Sequence, residues 1–366
     1  MISDRKDDHV RHAVNHQRHA VGANDFDSVT FVHHALAGID ADEVSLGVEV
    51  AGKHWATPLY VNAMTGGSID TGEINRKLAI AARETGIPIA SGSMSAYFRD
   101  PAIAGTYRVL RQENPHGVVL ANVNANATVD QARSAVDLLE ADALQIHLNA
   151  VQEVVMPEGD RSFGAWPAQI ERIVAASAVP VIVKEVGFGL SRQTVTWLRE
   201  AGVTVADVGG RGGTNFARIE NDRRVGGDFA FIESWGQSTA NCLLDCTGVT
   251  GIDIAASGGI RSPLDMARAL ALGAKATGVA GVFLETLVSH DTQTLIDKIE
   301  TWLAQLRTIL TVLGARTPAD LVDTDLLVTG DVATFCRLRG IDAAALAHRS
   351  PGGANRKHRE GVTTHE

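Results

Sequence analysis

Residues 143–163 read ALQIHLNAVQEVVMPEGDRSF. Ala143, Leu144 and Ile146 form an apolar, strand-like run between Gln145 and His147. The run then gives way to His147, Asn149, Gln152, Glu153, Glu158, Asp160 and Arg161. An imidazole, amides and carboxylates in such close order can orient a polar substrate and move a proton. A carboxylate among them can also hold a divalent cation. A solvated loop that happens to be polar is the lesser alternative.

The surrounding pattern says what positions these groups. Apolar runs at 58–64, 87–91, 117–123, 143–148, 180–186, 203–209, 251–257 and 276–280 alternate with helical patterns. The helical stretches include 71–85, 129–140, 168–176, 192–201 and 264–272. Strand and helix repeated eight times predict a parallel α/β fold. Eight units favour a closed (β/α)8 TIM barrel, whose site lies at the C-terminal ends of its strands. An open doubly wound sheet would place its glycine-rich phosphate turn after the first strand. Here the first run ends MTGGS and the richest glycine loops come late.

The predicted organisation is an N-terminal arm and lead-in at 1–56, a barrel at 57–321, a C-terminal extension at 322–350 and a disordered tail at 351–366. A helix is expected from Asp4, with that residue as its cap. A long loop follows the sixth strand, GGRGGTNFARIENDRRVGGDFAFIESWG, before a helix near 238–245. Such a loop on the C-terminal face of a barrel is a lid or binding loop. An amphipathic helix is expected at 292–313.

Each predicted strand end is polar or glycine-rich. SGGIR (257–261) and Ala280-Gly281 each precede a helix, which fits a phosphate held by backbone N–H groups and a helix N-terminus. Tight turns needing positive φ are the simpler alternative. Lys184 sits in the apolar run PVIVKEV, where a buried ammonium must meet an anion or lose its charge. Three roles stand: a cation at the edge of a bound flavin, a Schiff-base lysine, or an ion pair with Glu185.

The totals exclude other classes. Hydrophobic residues make up 45% and charged residues 21%, as in globular proteins. A net charge of -10 argues against a general nucleic-acid binder but permits a local basic pocket. The 3 cysteines, Cys242, Cys246 and Cys336, form no disulfide framework and fit a reducing cytoplasm. No apolar run reaches the length of a membrane span, and the opening MISDRKDDHVRHAV lacks the apolar core of a secretory signal.

With these motifs together, the chain resembles the type 2, FMN-dependent isopentenyl diphosphate isomerases. The matching stretches run from RKDDHV (5–10) to TVLGARTPADL (311–321). Between them lie NAMTGG (62–67), QIHLN (145–149), QEVVMPEGDRSF (152–163), VKEVGFGLS (183–191), VGGRGGTNFARIENDRR (208–224) and SGGIR (257–261). The resemblance implies that Arg5 and Lys6 hold a substrate diphosphate and that Ala63, Met64 and Thr65 line the flavin ring. It also implies FMN contacts from Ser93, Asn122, Lys184 and Thr214. The FMN phosphate would fall to Gly258, Gly259, Arg261, Ala280 and Gly281. His147, Asn149 and Gln152 would face substrate, with Gln152 and His147 as catalytic candidates, and Glu153 would place Mg2+. NADPH would reduce the flavin, and a homo-tetramer or octamer would be the working assembly. Some family members carry GSQR after strand two; this chain has Gly92-Ser93-Met94-Ser95, and Arg99 is near but not equivalent.

Three other classes compete with this resemblance. An FMN-dependent 2-hydroxy acid oxidase wants a histidine base near strand seven, and 257–261 has none. An inosine-monophosphate-dehydrogenase-like enzyme needs a nucleophilic cysteine, and 209–215 has none. A non-catalytic flavin or phosphate barrel would not need Arg5, Lys6, Gln152 and Glu153.

Overall fold

The computed structural model describes residues 2–18, 24–64, 66–224 and 226–350, with side chains of the first helix from residue 7 onward. Thr65 and the expected disordered tail at 351–366 lie outside the described residues, as do the side chains of Arg5 and Lys6.

The chain begins with a helix, Ile2–Arg18, followed by a short strand β1 (Val29–Phe31) and a hairpin of β2 (Val48–Val50) and β3 (Lys53–Trp55). Eight parallel strands then close into a barrel. They are β4 (Leu59–Val61), β5 (Ile89–Ala90), β6 (Val119–Asn124), β7 (Ala143–Leu148), β8 (Val181–Glu185), β9 (Val205–Asp207), β10 (Asp253–Ser257) and β11 (Ala276–Val279). β11 pairs with β4 to complete the ring. The expected (β/α)8 architecture is therefore present, with its long loop after β9.

Both faces of these strands are covered, which is why they read as continuous apolar runs. Tyr60, Ala90, Leu120, Ala143, Ile182, Val205, Ala255 and Ala276 pack inside the barrel. Val50 and Trp55 of the hairpin join this cluster, Trp55 edge-on to Tyr60 at 5.7 Å, so the hairpin plugs one mouth. The open mouth is left to the C-terminal strand ends.

Strand ends fall short of the sequence expectation where side chains compete with the ladder. The run 58–64 yields only Leu59–Val61, because Asn62 Oδ1 accepts the N–H of Ala63 at 2.7 Å. The run 203–209 yields Val205–Asp207, where Asp207 Oδ1 accepts the N–H of Gly209 at 3.2 Å.

Helices start where capping groups allow. Ser68 caps Ile69–Thr85 and Asp291 caps Thr292–Leu313, the latter ending at left-handed Gly314. The first helix starts at Ile2, so Asp4 lies in its first turn and is not its cap. An acidic residue is as well placed in that turn as at the cap.

The two ends of the chain meet. β1 pairs antiparallel with β12 (Leu326–Val328), Val29 opposite Val328. The lead-in and the C-terminal extension thus share one small sheet against the barrel wall.

Candidate functional site

A cavity of about 1090 Å³ opens at the C-terminal ends of the barrel strands. That is room for a cofactor and a small substrate together. Its lining includes Ala63, Met64, Ser93, Asn122, His147, Asn149, Gln152, Glu153, Lys184 and Thr214. It also includes Gly258, Gly259, Arg261, Ala280 and Gly281. Every candidate within the described residues is therefore on one surface.

Register explains the gathering. Asn124 pairs with His147, His147 with Lys184, and Lys184 with Asp207 across four neighbouring strands. This places an amide, an imidazole, an ammonium and a carboxylate side by side at the barrel mouth. His147 Nδ1 lies 3.0 Å from Asn122 Oδ1, which fixes the ring orientation. Lys184 is buried, and its Nζ donates to the carbonyl of Glu185 at 3.0 Å. Burial pushes its pKa down, opposed by the charges of Asp207 and Glu185. The Glu185 carboxylate instead accepts the backbone N–H groups of Gly187, Phe188 and Gly189. The side-chain ion pair between neighbours is thus replaced by a loop brace.

Asp207 was not among the sequence candidates, yet it anchors the floor. Its carboxylate accepts from Tyr60 Oη at 2.7 Å, Asn62 Nδ2 at 3.1 Å and Ser257 Oγ at 2.8 Å. It is fully buried. A carboxylate inside a barrel strand gives no local sign of these partners, since each lies on a different strand or strand end.

Gln152 sits on a short helix, Ala150–Val155, directly after β7. Its Nε2 donates to Glu220 Oε1 at 2.9 Å, and Asn149 Nδ2 donates to its Oε1 at 3.3 Å. Glu220 belongs to the helix Phe216–Arg223 in the long loop. His9 Nε2 approaches the same oxygen at 2.8 Å, and Arg223 pairs with the other. Burial would raise the pKa of Glu220, but His9, Gln152 and Arg223 outweigh it and hold it at about 2. His9 and Glu220 were missed as individual residues, although both fall in the stretches RKDDHV and FARIENDRR that were singled out.

Glu153 receives Asn149 Nδ2 at 2.9 Å and the N–H of Asp160 at 2.8 Å. Among the described residues it is not part of a ready-made three-ligand cage. That suits Mg2+, which is commonly held by one or two carboxylates with substrate oxygens and water.

The glycine lip, formed by Gly258, Gly259, Ala280 and Gly281, lies on the cavity wall. The helix Gly281–Ser289 has no side-chain cap, unlike Pro263–Ala271, which Ser262 caps. Its first N–H groups therefore sit at the cavity wall without a side chain of their own to satisfy them. Gly258 has φ +85, and a Cβ there would stand 2.0 Å from the carbonyl oxygen of Gly210. The residues fit an FMN phosphate through backbone. The Arg261 guanidinium does not face it freely: Nη2 bonds Asp27 at 2.6 Å and Nε bonds Asp265 at 2.9 Å. The hydrogen bond from Arg261 holds the Asp27 carboxyl at about 2. Arg261 thus also ties the lip to the N-terminal lead-in.

Gly258→Ala is expected to strip the protein of flavin and lower its melting temperature, because the clash is with backbone and φ is unsuited to alanine. The flavin-to-protein absorbance ratio of the purified variant checks this; a normal ratio would refute it.

The three thiols are poor nucleophiles. All are buried and free, and burial pushes Cys242 far up and Cys246 to about 12. A covalent cysteine mechanism has no residue to use.

This fold and cavity define the class: residues 108–328 match the FMN-dependent dehydrogenase family. A solved mandelate oxidase aligns with a TM-score of 0.58, at 17% identity, over 86% of this chain and 90% of its own, which establishes the shared fold. A relative from Nocardia farcinica named isopentenyl-diphosphate delta-isomerase is 72% identical, covering 96% of this chain and 97% of that protein. Relatives of the same name from Kitasatospora griseola and Listeria welshimeri are 62% and 44% identical, covering 99% and 94% of this chain and 99% and 97% of their own. The chain belongs to the isopentenyl-diphosphate delta-isomerase family and is an isomerase built on an FMN barrel. No helix among the described residues is long and apolar enough to cross a membrane.

Proposed function

We propose that the chain interconverts isopentenyl and dimethylallyl diphosphate, with Mg2+ on the diphosphate and FMN kept reduced by NADPH. The observation that carries this reading is the hydrogen-bonded chain from Asn149 through Gln152 to buried Glu220 and on to His9, which sets Asn149, Gln152 and His9 on the cavity wall. The reaction adds one proton to an alkene and removes another from carbon. When bound, reduced FMN supplies the acid and base for these transfers.

The residues of the chain then position and desolvate. Gln152, held on both sides, orients the alkene end. Glu220 stays ionised and keeps the Gln152 amide pointed one way. His147 and Asn149 line the substrate path, and Glu153 holds Mg2+. Arg5 and Lys6 take the diphosphate from the N-terminal helix. Lys184 sets a cation at the ring edge, where Ala63, Met64 and Thr65 form one wall. Ser93, Asn122 and Thr214 contact the cofactor, and Gly258, Gly259, Arg261, Ala280 and Gly281 hold its phosphate. The proposal includes a cytoplasmic location and assembly into a homo-tetramer or octamer, which sedimentation of the purified protein would measure.

The deciding assay follows isopentenyl diphosphate under anaerobic conditions with Mg2+, with and without NADPH. Bound FMN with conversion only after reduction is the expected result. Bound FMN without conversion would overturn the substrate, and failure to bind FMN would overturn the cofactor site.

A further inference from the structure

The N-terminal helix carries His9, His12 and His16, spaced by three and four residues and therefore on one face. This face meets the helix Phe216–Arg223 of the long loop. His9 is engaged by Glu220. The other two histidines have no place in the chemistry proposed above. His16 Nε2 lies 2.8 Å from Asp222 Oδ2, and His12 Nδ1 lies 3.8 Å from the same oxygen. The two rings have centroids 6.2 Å apart. Their donor nitrogens and the carboxylate oxygen all fall within 4.8 Å of one another. Both imidazoles are half-buried, while Asp222 is exposed, so water reaches the cluster.

We propose that His12, His16 and Asp222 form a site for a transition dication of the Zn2+ kind, joining the N-terminal helix to the long loop. Two imidazoles and a carboxylate, completed by water, are a donor set that Zn2+ accepts in tetrahedral geometry. Ligands at about 2.0–2.1 Å in that geometry stand about 3.3 Å from each other. The observed 2.8 and 3.8 Å bracket that spacing, so side-chain shifts below an ångström complete the site. Imidazole donors favour Zn2+, Co2+ and Ni2+ over Mg2+, which separates this cluster from the carboxylate Glu153. Binding here ties down the helix that bears Arg5 and Lys6, and His16 itself reaches the cavity wall. The site does not depend on the isomerase reading, because its test uses no substrate.

The test is calorimetric titration of ZnCl2 into the chelator-treated full-length protein, repeated with CoCl2 while ligand-field bands are recorded. The expected result is a single tight equivalent with Kd on the order of micromolar, and Co2+ bands of low-coordinate type. A His12→Gln/His16→Gln variant should weaken that equivalent by on the order of 100-fold or more, beyond the ~10–100-fold cost of losing an outer partner. Asp222→Asn, at an exposed position that folding tolerates, should weaken it too. Amide exchange across residues 2–18 should slow on adding Zn2+ to the wild type and not to the variants. Absence of a tight equivalent in the wild type would overturn the proposal. So would an equal equivalent in all three proteins, which would place the ion elsewhere.

Discussion

Gln152→Ala is expected to lower turnover by roughly 100-fold, the cost of a misplaced substrate. The flavin content should stay at the wild-type level. The amide is fixed by bonds at both ends, from Asn149 and to Glu220, so its direction is set before any ligand arrives. Glu220 is wholly buried and ionised, which prevents the amide from flipping to present its oxygen there. The glycine lip lies across the barrel: β11, which leads into Gly281, is the strand opposite β7. Removing the amide therefore leaves the phosphate lip untouched. Steady-state kinetics should show the loss in kcat with a smaller change in KM, because an orienting contact matters most as bonds change. Turnover equal to wild type would remove Gln152 from the mechanism.

The same network carries a pH dependence. Glu220 is held at about 2, below its ordinary 4.5. Its contribution to stability is complete above 4.5 and declines as pH falls toward about 2, since the unfolded chain takes up the proton first.

Asp207→Asn is expected to destabilise the protein by about 1–3 kcal/mol, the cost of leaving buried hydrogen-bonding groups unsatisfied. The carboxylate accepts from Tyr60, Asn62 and Ser257, and it stands beside Lys184 in the strand register. An asparagine keeps the shape but offers one acceptor oxygen where two are used, and it brings donors that face other donors. It also removes one of the two charges, the other being Glu185, that offset the burial of the Lys184 ammonium. Urea unfolding should show a lower midpoint with an unchanged slope. Adding Lys184→Met to Asp207→Asn should then cost less than the two single losses combined, because the partners are coupled. A single variant within about 0.5 kcal/mol of wild type would refute the account, being in the range of ordinary surface changes.

Much of the barrel was legible along the chain. Its strands are buried on both faces, so each reads as an apolar run, and each run ends in polar or glycine residues at the mouth. His147, Asn149, Gln152, Lys184 and the glycines at 258–259 could be named because they stand at such ends. The helix Thr292–Leu313 was legible to the residue, since Asp291 and Gly314 mark its two ends by local chemistry. What escaped were contacts made across long sequence gaps. Gln152 and Glu220 are 68 residues apart, and no local period relates them. Arg261 sat in a motif that resembles a phosphate site, yet Asp27, 234 residues away, claims its guanidinium.

The sequence by itself determined the class of fold, the mouth of the barrel as the place of chemistry, and the family. These follow from short-range periodicity and from motifs that lie within single loops. Only the tertiary structure decided that Asp207 gathers Tyr60, Asn62 and Ser257, that His9 and Glu220 brace Gln152, and that β1 and β12 join the two ends of the chain. Those pairings depend on which strand lies beside which when the sheet closes, and on how the first helix docks. That geometry arises from packing of the whole chain and is written in no single segment.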